Sequence, residues 1–158
     1  MSVEAASDWG ALAFARGTTR LDVPPDILQH LPVAIYACDV EGRILWFNAK
    51  AAEIWGRSPR VADESEKYCG SYRRHFKGRS IARDETPMAA VLRSGVALRG
   101  LEGQVERPDG SRIWAVVHIE PVKDESGQLI GAINCFHETT ATHVVADSAL
   151  RRAEEQSA

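Results

Sequence analysis

"RPDGSRIWAVVHIEPVKDESGQLIGAINCFHETT", residues 107–140, is the stretch whose reading decides the fold. Within it Ile113, Ala115, Val117 and Ile119 are apolar, and Trp114, Val116, His118 and Glu120 alternate with them. A repeat of two marks a strand, because successive side chains point to opposite faces of a sheet. "DESG" at 124–127 is turn chemistry, so this run folds back antiparallel against residues 129–137. A turn centred between Glu125 and Ser126 sets Val116 opposite Cys135, Trp114 opposite His137, and His118 opposite Ile133. Ala132, Asn134 and Phe136 then share the core face with Ala115 and Val117.

Ahead of the "PDG" turn, "LRGLEGQVE" (98–106) supplies a third strand. "VAIYACD" (33–39), the turn "VEG" and "RILWFN" (43–48) read as a hairpin. Asn48 is a good N-cap for "AKAAEIWGR", with Gly56 as the stop. A second helix is expected over "DETPMAAVLRSG" (84–95), starting at Asp84, ending at Gly95, with Met88, Val91 and Leu92 on one face. Between the helices, residues 58–83 show only charges, glycines and isolated aromatics, including "YCGSYRRHF" at 68–76. "VPPDILQHLP" (23–32) suits a brief helix, and the tail after Thr140 is polar and helix-prone. The expected architecture is α+β: one five-stranded antiparallel sheet with helices on one face. The boundaries are an N-terminal helical extension at 1–24, a domain at 25–140, and a C-terminal helix or linker at 141–158.

At 158 residues, 44% hydrophobic and 26% charged, the chain has room for one domain with a real core. A net charge of −3 argues against nucleic acid as the main partner, because phosphate binding needs a basic face. Cys38, Cys69 and Cys135 show no CxxC or CxxH spacing, so a structural zinc site is not expected. Their odd number, without a signal peptide, points to a reducing cytoplasm. No apolar run approaches the ~20 residues a membrane helix needs.

"LPVAIYACDVEGRILWFNAKAAEIWG" (31–56) followed by residues 107–140 resembles a PAS domain over roughly residues 25–143. "YCGSYR", "DETPMA" and "ERPDG", in that order, resemble the PAS type found in front of bacterial HWE-family sensor histidine kinases. The resemblance implies a sensory, non-enzymatic signal-transduction module that binds a small molecule in a core pocket. It also implies a homodimer, a C-terminal signalling helix and a two-component-type pathway. PAS strands usually end in Asp-Ile-Thr; Glu138, Thr139 and Thr140 occupy those positions, so only the threonine is kept. Kinase motifs are absent, which leaves an isolated sensor or the front piece of a longer protein. A ligand-free dimerisation adaptor is the rival reading.

The candidate pocket residues are Tyr36, Cys38, Tyr72, Arg73, Arg74, Met88, Ala115, Val117, Asn134 and Phe136. Asn134 is an amide aimed at an apolar interior, where leaving it unpaired costs about 1–3 kcal/mol. It bonds either to backbone or water, or to a ligand. PAS analogy turns Tyr36 and Cys38 inward; Cys38 also reads as a small core residue. Arg73 and Arg74 beside Tyr72 could bind an anion. In the alternative, Tyr68 and Tyr72 pack as a lid and the arginines are solvated.

In oxygen-sensing PAS domains haem hangs from a histidine on the helix corresponding to 84–95, which has none here; His75 in the loop nearby leaves a haem-binding gas or redox sensor as a distant alternative. The flavin-photosensor motif matches "YCGSYR" only superficially. An uncoloured small molecule such as a carboxylate, or no ligand, is the expectation. Cys69 and His75 show no third catalytic partner, so no enzyme is expected. The register above leaves His118 and His137 about four residues apart on adjacent strands, roughly 13 Å, too far for one metal ion. Their face, with Trp114, Val116, Ile133 and Cys135, is too apolar to stand in water, so the N-terminal segment or a second subunit should cover it.

Overall fold

In the computed structural model the described residues are 29–140 together with Ala153. The expectations for 1–24, for most of "VPPDILQHLP" and for the tail after Thr140 lie outside them. The strands are β1 (Ala34–Asp39), β2 (Ile44–Phe47), β3 (Arg73–Phe76), β4 (Arg79–Ile81), β5 (Leu98–Glu106), β6 (Arg112–Lys123) and β7 (Leu129–Glu138). They form one sheet in the order β2-β1-β7-β6-β5-β3-β4, and each neighbouring pair is antiparallel. Helices α1 (Ala49–Trp55) and α2 (Pro87–Ser94) bury their apolar sides against it.

The α+β class stands, but the sheet has seven strands rather than five. The additional pair, β3 and β4, comes from the stretch read as irregular. Lys77 (φ 50) and Gly78 (φ 76) both take left-handed backbone between them, the conformation a tight two-residue hairpin turn requires. The strand sequences "RRHF" and "RSI" are short and polar. Pairing of Arg73 with Glu106 and of Arg74 with Val105 on β5 makes the first a strand, and the second pairs with the first across the hairpin; no local propensity signals either.

The β6–β7 register also differs from expectation. Val116 faces His137, and His118 faces Cys135. The turn closes from Asp124 to Gln128 (N–H to C=O, 2.9 Å), one residue longer than a turn centred between Glu125 and Ser126. Asp124 shapes it, its Oδ1 accepting from the backbone N–H of Ser126 and of Gln128, each at 2.9 Å. A bulge between Val122 and Lys123 adds a second residue. Two single-residue shifts restore the alternation, so every side chain keeps its expected face.

Asn48 caps α1 as expected and does more. Its Oδ1 accepts from Ala51 N–H and from Ile35 N–H, both at 3.0 Å, and its Nδ2 donates to Val33 C=O at 2.9 Å. Gly56, at φ 69, ends the helix. The second helix begins later than expected. Arg83–Glu85 form a single 3₁₀ turn, and Thr86 is the N-cap, its Oγ1 accepting from Ala89 N–H at 3.3 Å. Pro87 follows, placed where its missing N–H is not needed. Met88, Val91 and Leu92 are buried, as their spacing predicts.

The core lies between the helices and the sheet. Trp55 is its centre, 5.1 Å from the Tyr36 ring, edge-on, and 5.5 Å from Phe136, stacked. Ile113, Ala115, Ile119 and Ala132 complete the sheet side.

Candidate functional site: a cavity between the sheet and α2

A cavity of about 50 Å³ opens between α2 and the inner face of the sheet. Phe76, Val105, Val117 and Ile119 make its walls apolar, and Met88 projects into it from α2. Gly103 lets the wall form: a Cβ there would come within 2.6 Å of the Phe76 ring.

Of the polar side chains at its lining, two carry buried atoms without a partner among the described residues. Arg74 alternates inward on β3 with Phe76 and is 8% exposed. Its Nη2 makes one long contact to Tyr72 C=O, 3.5 Å, while Nε and Nη1 are buried without a hydrogen-bond partner among the described residues. Among the described residues no carboxylate lines the cavity. A buried unpaired cation costs on the order of several kcal/mol. Arg83 stands nearby, donating to the Cys69 and Ser71 carbonyls; burial first, then the charge of Arg74, pull its pKa down.

The other polar group is Asn134 on β7, 4% exposed. The Tyr36 hydroxyl donates to Tyr68 C=O at 2.7 Å, so its oxygen has only lone pairs left to offer. That orients the amide: Asn134 Nδ2 donates to the Tyr36 oxygen at 3.4 Å. Oδ1 stays buried and unpartnered among the described residues. Tyr68 reaches this position through a left-handed backbone, φ 71. Its ring lies over Gly42, where any Cβ would come within 2.3 Å. Burial drives the Tyr36 phenol and the Cys38 thiol well above their ordinary pKa values, so both are neutral.

Of the candidate residues, Tyr36, Arg74, Met88, Ala115, Val117 and Asn134 meet at the cavity. Cys38 and Phe136 do not: both are in the packed core, Phe136 against Trp55. Arg73 points outward because strand alternation at β3 can turn only one of two adjacent arginines inward, and Tyr72, just before the strand begins, is exposed as well. Tyr72 is 44% exposed, and the Arg73 guanidinium sits 5.2 Å above its ring. The solvated-arginine alternative therefore describes Arg73 and not Arg74. Sequence reading missed Phe76, Thr86 and Cys69. Only the cap position of Thr86 left a local trace.

His75 alternates to the outer face and bonds Glu106 at 2.9 Å. With Arg112 and Arg73 close by, this bond holds the Glu106 carboxyl below the usual carboxylate range. The imidazole therefore does not enter the cavity, and no other histidine lines it. Room for roughly three to five waters is too little for a porphyrin or a flavin ring system, so neither group fits. The outer face brings one correction. His118 and His137 stack with ring centroids 6.0 Å apart, because the register shift moves them onto a close diagonal. His118 Nδ1 accepts from Gly100 N–H at 3.1 Å. No group of three metal-ligating side chains occurs among the described residues.

Residues 28–144 match the family described as PAS fold. The chain belongs to the PAS family. Its fold is similar to the PAS domain of a protein from Colwellia psychrerythraea, at 18% identity and a TM-score of 0.54, covering 73% of this chain and 93% of that one. A LOV domain from the blue-light activated histidine kinase of Erythrobacter litoralis aligns at 16% identity and a TM-score of 0.52, covering 70% and 99%. An RNA-binding light-oxygen-voltage receptor aligns at 16% and 0.57, covering 84% of this chain and 36% of the receptor. At these identities the likeness is one of fold. No curated protein matches the sequence. PAS domains are, in general, sensory modules of signal transduction. Among the described residues no helix of this PAS domain is long and apolar enough to cross a membrane.

Proposed function

We propose that this PAS domain is a sensor that binds a small uncoloured molecule in its core cavity and relays occupancy to the chain beyond Thr140. The observation that carries the reading is a cavity holding three buried polar atoms, Arg74 Nε and Nη1 and Asn134 Oδ1, without partners among the described residues. Native structures leave few such groups unsatisfied, so each asks for a ligand or ordered water. The route outward is short. Ala115 and Val117 on β6 form part of the wall. Their neighbour Trp114 donates its N–H to Thr140 Oγ1 at 2.9 Å and accepts from Thr139 N–H at 2.8 Å. A shift of β6 on binding would therefore move the residues that aim the following segment. The half-exposed outer face around Trp114, Val116 and Cys135 suits a homodimer. Output to a histidine kinase of the HWE type is supported by the order of the sequence motifs. The kinase-borne LOV domain of similar fold fits that output.

Native mass spectrometry of freshly purified full chain, with an absorption spectrum, tests the reading. A bound mass without a visible band is expected. A Soret or flavin band would replace the uncoloured ligand, and an empty chain that binds nothing would favour the adaptor.

A further inference from the structure

Resting on that reading, we infer that the ligand is a short monocarboxylate carrying a hydroxyl group, its acid held by Arg74 and its hydroxyl by Asn134 Oδ1. Each part of the description follows from one feature of the cavity. Arg74 Nε and Nη1 are donors with nothing to donate to among the described residues, and Nη2, which shares an edge with each of them, makes only one long contact; either edge offers the two parallel N–H groups that match the oxygens of a carboxylate. The charge is single, because Arg74 is the one cationic side chain lining the wall among the described residues. Arg83, the next guanidinium, is engaged with the Cys69 and Ser71 carbonyls. Glu66, an acid whose charge reaches Arg83, is bonded to Arg57. Among the described residues no carboxylate pairs with Arg74 or lines the cavity.

The second polar contact must be a donor. Tyr36 fixes the Asn134 amide with its NH₂ toward the phenol, which leaves the carbonyl oxygen as the bare group. An ammonium donor would bring a second positive charge beside Arg74, so a neutral hydroxyl fits better. The remaining wall, Phe76, Val105, Val117 and Ile119, is apolar and favours a short hydrocarbon body over a fully hydrated inorganic anion. A volume of about 50 Å³ limits that body to a few carbons.

Calorimetric titration of the full chain with lactate, propionate, lactamide and inorganic phosphate separates these terms. Lactate should bind. Propionate, lacking the hydroxyl, should bind roughly three- to tenfold more weakly, and lactamide, lacking the charge, at least roughly tenfold more weakly. Arg74→Gln should abolish the preference for lactate over lactamide. The acid–amide comparison needs no variant, so it decides the matter even where that substitution unfolds the chain. Lactamide binding as well as lactate would overturn the inference, as would phosphate binding alone. If no carboxylate binds but a mass co-purifies, the carboxylate falls and the small-molecule reading stands. If nothing binds and nothing co-purifies, both fall.

Discussion

Tyr36 and Cys38 lie side by side in alternation on β1, and both hold their protons more tightly in the fold than in the open chain. Burial is the main cause at each. The folded protein therefore binds more protons than the unfolded one above the ordinary thiol value of 9.0 and the ordinary phenol value of 10.0. Stability is complete below pH about 9 and falls as pH rises beyond it. Urea denaturation at pH 7 and pH 10.5 should show this loss. Tyr36→Phe should be about 1 kcal/mol less stable at pH 7, for its hydroxyl bonds, and should lose less at pH 10.5. At this scale the sequence was only half readable. Asn134 announced itself as a polar group on an apolar face and Tyr36 came from the PAS resemblance, yet nothing in "RR" told which arginine would turn inward. That choice depends on the phase of a short strand, three of whose four residues are polar, which does not advertise it.

Elements were legible where a periodic pattern met a cap or a turn. The β1–β2 hairpin, α1 between Asn48 and Gly56, and the inner face of α2 all follow from such local agreement. Asn48 shows how strong that agreement is, since one buried amide closes the helix and ties it to β1 and the segment before it. Asn48→Ala should cost about 2–3 kcal/mol, because three backbone groups lose partners at a site with little water. A shift in urea midpoint with an unchanged slope would measure it. β3 and β4 were not legible. β3 is made a strand by β5, a tertiary partner farther along the chain, and β4 by the hairpin it forms with β3. The β6–β7 register failed differently: a longer turn and a bulge each contributed one residue, and only their sum preserved the faces.

At the scale of the whole molecule, the homodimer proposed above would meet through the outer face of the sheet, where Trp114, Val116 and Cys135 are half-buried among the described residues. Trp114→Glu should lower the mass seen by light scattering from dimer to monomer, with the fold intact by circular dichroism. An unchanged mass would place the contact elsewhere. The strand order has a further consequence. Arg74 lies on β3 and Asn134 on β7, with β5 and β6 running between them. A molecule gripped at both ends would act like the string of a bow, drawing the inner face across two intervening strands. Its arrival or departure would then register as a change in the bend of the sheet, felt most by the strands it crosses without being held by them.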